Sequence, residues 1–246
     1  MTGLVRKAVL FAACSVLIGA SAAVAGTPYP GNSTVQWFNP ATSTFITANR
    51  INLVDNNGSA SDPSNSLDSI PKFAKIWITV KDISGIAVNA SNVQLKFTGA
   101  YSDLKICTAQ PYHAEIVDVP NRIVRNFTNS SGIVTFVVAG SGTWTAIGSP
   151  PPAHPAGSLA VWADTTPMFN IGCGTFDYDQ VGPGVGAADL SRFAKDLFPP
   201  SPATQDRSDY DGSGLVTAGD LSIFAQALFP YAGYVHAQCA PGTLVP

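Results

Sequence analysis

The chain has 246 residues, with 13 Lys+Arg against 16 Asp+Glu and a formal net charge of −3 at pH 7. Charged residues are only 12% and hydrophobic ones 46%, a balance that suits secreted β structure better than helix and offers no basic excess for nucleic acid. The histidines His113, His154 and His236 stand at no metal-ligand spacing, and there is neither a Gly-x-Ser-x-Gly elbow nor a phosphate-cradling loop, so the chain reads as non-enzymatic.

At the start, Arg6 and Lys7 precede an apolar run from Ala8 to about Ala20 and the small residues Ala23-Val24-Ala25. That is the layout of a secretory signal peptide over 1–25, too short in its apolar part to span a bilayer. The expected product is secreted, with no membrane insertion after the leader is removed.

Residues 26–172 read as all-β. Apolar residues alternate over Thr34–Phe38, Phe45–Val54, Ala74–Val80, Val93–Phe97, Leu104–Cys107, Ile123–Phe127, Ile133–Val138 and Leu159–Ala163. Turn clusters such as Ile83-Ser84-Gly85 and Asn129-Ser130-Ser131-Gly132 punctuate them, which predicts a β-sandwich. Acidic and basic residues balance in this part. Asp55–Pro71 and Ser149–Pro155 read as long polar and proline-rich loops. Asp55, Asp62, Asp68, Asp82, Asp103, Asp118 and Glu115 are carboxylates that could in principle form a catalytic pair, and strand ends and turns are their ordinary place.

Two stretches, Val80-Lys81-Asp82-Ile83-Ser84-Gly85-Ile86-Ala87-Val88 with Val93–Phe97, and Thr128-Asn129-Ser130-Ser131-Gly132-Ile133-Val134-Thr135-Phe136, resemble bacterial immunoglobulin-like domains of the invasin type. The resemblance implies an immunoglobulin-like sandwich acting as a spacer or adhesive module, without catalytic residues.

Residues 173–240 differ in charge and in period. Eight aspartates face only Arg192, Lys195 and Arg207, and acid gathered in this way calls for cations. Asp209–Asp220 reads DYDGSGLVTAGD. Oxygen side chains stand at loop positions 1, 3 and 5 (Asp209, Asp211, Ser213), and Gly214 at position 6 permits a sharp turn. Leu215 offers its backbone carbonyl at position 7, Thr217 stands at position 9 and Asp220 closes position 12. Alternate oxygens around a tight loop are what a hard cation of six to eight ligands requires, so Ca2+ is the expected cofactor.

A shift of 31 residues lays Asp189–Pro199 on Asp220–Pro230 with eight of eleven pairs identical, and Asp177 and Asp179 match Asp209 and Asp211 at a shift of 32. The apolar spacing of Leu190, Phe193, Ala194, Leu197 and Phe198, and of their counterparts, predicts a helix after each loop, ended by Pro199 and Pro230. The first loop supplies Asp177, Asp179, the backbone of Gly184, and Asp189, but no oxygen side chain at position 5, so it is expected to bind more weakly.

Two Asp-rich loops ending in Asp-Leu, each followed by one helix, resemble the type I dockerin repeat. The resemblance implies two loop–helix halves with approximate twofold symmetry, one calcium per half and docking onto a cohesin-like or surface protein. It places the docking face at Ala187, Ala188, Lys195, Ala218, Gly219 and Gln226. The fold expected overall is therefore mainly β: an immunoglobulin-like sandwich over 26–172, a small α-helical dockerin-like module with EF-hand-type loops over 173–240, and a tail over 241–246. A second reading is a sugar-binding sandwich with the same calcium-stabilised tail. It requires coplanar, exposed rings among Trp37, Trp77, Trp144 and Trp162, with polysaccharide as partner. Three cysteines follow the leader, Cys107, Cys173 and Cys239. A Cys173–Cys239 bond would clasp the ends of the loop–helix pair, whereas Cys107–Cys173 would staple the sandwich.

Overall fold

In the computed structural model the described residues are 26–39, 44–48, 50–53, 75–97, 105–107, 115–118, 120–141, 159–176, 178, 185–198, 207–228 and 244–245. The leader, both long loops, Trp144, the histidines and the proposed first-loop ligands Asp177, Asp179 and Gly184 lie outside them.

The fold is mainly β. The strands are β1 (Thr34–Asn39), β2 (Thr44–Thr47), β3 (Arg50–Leu53), β4 (Ile76–Thr79), β5 (Asn92–Phe97), β6 (Lys105–Cys107) and β7 (Ile116–Asp118). They continue with β8 (Ile123–Phe127), β9 (Ile133–Phe136), β10 (Gly140–Ser141), β11 (Leu159–Ala163), β12 (Thr166–Thr175) and β13 (Leu244–Val245). Among the described residues, the α-helices α1 (Ala187–Leu197) and α2 (Ala218–Leu228) precede β13. A four-stranded sheet runs β2-β1-β4-β9, a six-stranded sheet β3-β12-β11-β5-β8-β7, and a three-stranded one β10-β6-β13.

Period-two alternation explains most of these elements. In β5 the burial alternates so that Val93, Leu95 and Phe97 point inward while Gln94 and Lys96 do not. Inward residues of the four-stranded sheet (Val35, Trp37, Ile76, Ile78, Val134, Phe136) and of the six-stranded one (Val93, Leu95, Val124, Val161) belong to one buried cluster. Two sheets sharing a core agree with a β-sandwich. Asp82 Oδ1 accepts the N–H groups of Ser84 and Ile86 at 2.9 Å each, and Asn129 Oδ1 accepts those of Ser131 and Ile133. The turn clusters are therefore held by side-chain bonds to the backbone.

Three features depart from expectation. The single run expected over Phe45–Val54 splits: β2 stays beside β1, while β3 joins the other sheet, and every residue of β3 is buried. The longest strand, β12, was not legible because Pro167, Gly172 and Gly174 interrupt its alternation. It pairs antiparallel with β11 over its first half and parallel with β3 over Gly172–Thr175, so the division expected at 172/173 falls inside a strand, and β13 ties the expected tail to β6. Finally, Cys173 is a free, buried thiol and Cys107 is disulfide-bonded. Neither the Cys173–Cys239 clasp nor a Cys107–Cys173 staple forms: Cys173 lies within β12 opposite Ile51 with its thiol free. The partner of Cys107 lies outside the described residues. Among the described residues, no helix is long and apolar enough to cross a membrane.

Candidate metal centre

The site grows from the end of β12. Beyond Thr175 the chain enters the first loop, then α1, and then the second loop and α2. Each helix buries its phenylalanine: Phe193 and Phe224 stack at 5.0 Å between ring centroids. The cross pairs match as well, with Tyr178 and Phe224 6.3 Å apart and Phe193 and Tyr210 6.0 Å apart, both at 10° between planes. Tyr178 and Tyr210 correspond at the 32-residue shift, Phe193 and Phe224 at 31, and the two phenolic hydroxyls hydrogen-bond to each other between the halves.

The closing aspartates do the same work in both halves. Asp189 Oδ1 accepts the Tyr178 N–H at 2.7 Å and its Oδ2 the Gly186 N–H at 2.8 Å. Asp220 Oδ1 accepts the Tyr210 N–H at 2.7 Å and its Oδ2 the Thr217 N–H at 2.8 Å. In each case the carboxylate bonds back to the start of its loop and caps the first turn of its helix. The residue by which the first loop is longer therefore lies between Tyr178 and Gly186.

In the second loop, one carboxylate oxygen from each of Asp209, Asp211 and Asp220 gathers so that all three lie within 4.8 Å of one another. Asp209 and Asp220 are buried and Asp211 half-buried. Gly214 takes φ +88°, a left-handed conformation that glycine adopts freely. That turn aims the Gly214 N–H at Asp209 Oδ2, 2.8 Å away, and the Ser213 N–H at Asp209 Oδ1 and Asp211 Oδ1, at 3.0 and 2.9 Å. The remaining expected ligands stand beside them. Ser213 Oγ donates to the Leu215 carbonyl at 3.1 Å, and Thr217 Oγ1 donates to Asp220 Oδ2 at 3.2 Å.

Partial burial beside other carboxylates raises the proton affinity of Asp220 and Asp209. Asp220 is lifted to about 6, chiefly by burial and further by the charges of Asp211 and Asp209, against the pull of the Thr217 and Asp211 N–H groups. Burial also raises Asp209, opposed first by the nearby Arg50 guanidinium and then by the Gly214 N–H. A donor set made only of carboxylate, hydroxyl and carbonyl oxygens fits a hard cation such as Ca2+ and lacks the imidazole or thiolate that zinc or copper would favour.

The periodicity did not announce two neighbours of this loop. Arg50, on β3, sits with Nη2 3.5 Å from Asp209 Oδ2. Asn52, also on β3, donates from Nδ2 to the Tyr210 carbonyl at 2.9 Å. Nor did the repeat reveal the network of the first half, where Arg207 grips Asp196 through Nε and Nη2 at 2.7 and 2.9 Å and Ser208 Oγ donates to the same carboxylate. Its counterpart position in α2 holds Ala227, so this network breaks the symmetry.

Other carboxylates are engaged in turns. Asp118 bonds Asn121, and Asp164 accepts the Asn92 N–H and the Ser91 hydroxyl. Glu115 is buried, its Oε1 accepts the Val137 N–H at 2.7 Å, and burial pushes its carboxyl well above the usual range. Trp37 is in the core. Trp77 meets Phe45 edge-on at 4.9 Å on the four-stranded sheet, and Trp162 lies under Lys96 Nζ, 3.9 Å from its ring centroid, on the six-stranded sheet. No protein-family model matches the chain, and neither a curated protein nor a solved structure matches it.

Proposed function

We propose that this is a secreted, non-enzymatic calcium-binding protein in which an immunoglobulin-like sandwich carries a dockerin-like pair of loop–helix units. The observation that carries the reading is the convergence of Asp209, Asp211 and Asp220 around a loop whose glycine takes the required left-handed turn. The matched roles of Asp189 and Asp220, with the mirrored aromatic contacts, support a duplicated unit in which the first loop is a second, weaker site. Docking to a cohesin-like or surface protein would use Ala187, Ala188, Lys195 and Ala218, all exposed, with Gly219 and Gln226 half-exposed.

The polysaccharide reading is the weaker one, because Trp77 and Trp162 belong to different sheets and each has a neighbouring side chain against its ring. The test is calorimetry with Ca2+ and Mg2+ on the purified protein and on Asp220→Asn. Calcium should bind in preference to magnesium, and the variant should lose at least about tenfold in affinity at the tighter site. Binding that is unaltered by Asp220→Asn would remove the second loop from consideration.

A further inference from the structure

Arg50 and Asn52 belong by sequence to the sandwich, yet both side chains serve the loop. Arg50 and Asp209 meet at 3.5 Å with side chains only 8% and 3% exposed. Asn52 holds the Tyr210 carbonyl, and Tyr210 in turn donates its hydroxyl to Thr175 O at 3.0 Å, at the end of β12. The parallel register that aligns Arg50 with Gly172 and Leu53 with Thr175 fixes these contacts. The first two residues of the loop are thus anchored on the sandwich as well as, through the Tyr210 N–H and Asp220, on their own helix.

A guanidinium beside a carboxylate that must also hold a divalent cation has two opposed effects. It orients Asp209, and it offsets one of the three negative charges that attract the cation. Affinity at oxygen sites of this kind follows the count of ligand charges and the rigidity of the loop, and a buried fixed charge is screened little by salt. We propose that Arg50 is a positioning and affinity-setting residue of the metal centre: it anchors Asp209 to the sandwich and weakens cation binding, so that cation loading and sandwich stability form one linked equilibrium. The inference rests on the calcium reading above and names how that site is regulated.

All four tryptophans, Trp37, Trp77, Trp144 and Trp162, precede the loop, so tryptophan fluorescence reports the sandwich while calcium binds elsewhere. The experiment combines calcium calorimetry with tryptophan-detected thermal unfolding, with and without calcium, on the wild-type protein, Arg50→Gln and Arg50→Lys. Calcium should raise the wild-type tryptophan-detected midpoint. Arg50→Gln should bind calcium roughly tenfold tighter, having one more uncompensated ligand charge, while its metal-free form melts lower. Arg50→Lys should return the affinity to the wild-type range.

A merely structural strut would give Arg50→Gln unchanged or weaker calcium binding, and that result overturns the proposal. So does a wild-type midpoint indifferent to calcium that the same sample binds, a measurement that stands even if Arg50→Gln does not fold. Absence of calcium binding by the wild-type protein is the separate outcome that removes the site itself.

Discussion

Single residues in this protein separate two kinds of constraint. Gly214 has φ +88° and open space where a Cβ would stand, so only the backbone resists a side chain there. Gly174 is the reverse: its φ is ordinary, but a Cβ would lie 2.5 Å from Asn52 Oδ1. Gly214→Ala should therefore cost about 1–2 kcal/mol of left-handed strain. Gly174→Ala should displace Asn52 from Tyr210 and cost about 1–3 kcal/mol through a buried group left unpaired. Urea midpoints of the metal-free variants check both, and loss of the Asn52 contact should reduce the effect of calcium on the tryptophan signal only in the second. Asp220 makes a pH prediction. Its carboxyl is lifted to about 6 in the folded state from an ordinary 3.8, so protonation stabilises the metal-free fold below the ordinary range, and that contribution is lost as pH rises through about 6. A cation needs the ionised form. Calcium affinity should hold above pH 6 and fall below it, approaching about tenfold per pH unit. A calorimetric series from pH 5 to 8 giving a flat affinity would mean that Asp220 is not a ligand.

At the scale of elements, the two helices are short, and 11 residues each is too few for stability in isolation. They persist because Phe193 and Phe224 stack on each other and on the two tyrosines. Phe193→Ala and Phe224→Ala should each cost about 3–5 kcal/mol, and the double variant less than the sum, since the rings touch. Leu190, at the equivalent of Leu221 and 36% exposed, should lose under about 1 kcal/mol on truncation to alanine. Chemical denaturation followed by helical circular dichroism distinguishes these. Equal effects at Phe193 and Leu190 would deny that the aromatic stack holds the module.

For the whole molecule, one buried cluster contains Ile51 and Leu53 of the sandwich together with Phe176, Tyr210, Phe193 and Phe224. A chain ended at Thr175 would uncover Arg50 and Asn52 and leave β6 without β13. It should fail to give a soluble, cooperatively unfolding protein, or should be destabilised by about 5 kcal/mol or more. Tryptophan-detected unfolding of that truncated chain is the measurement, and a midpoint equal to the full protein's would restore the two-domain division expected at 172/173.

What the sequence by itself determined was local and periodic. Alternation located β1, β4, β5, β8, β9 and β11. The 31-residue repeat located α1 and α2, and the spacing of Asp209, Asp211 and Asp220 predicted that three carboxylates meet. Each of these signals lies within a dozen residues, where strand and helix periods or loop geometry decide the outcome. Tertiary structure alone decided the rest. A run that alternates from Phe45 onward divides between two sheets because β3 is covered on both faces, so its Arg50 and Asn52 look no different in sequence from exposed polar positions. β12 carries Pro167, Gly172 and Gly174 and gains its strand character from β11 and β3. Cys173 stays a thiol inside β12, whereas Cys107, equally buried in β6, is disulfide-bonded. Asn52 meets Tyr210 across 158 residues of chain, a separation at which no periodic pattern survives and only packing brings the groups together.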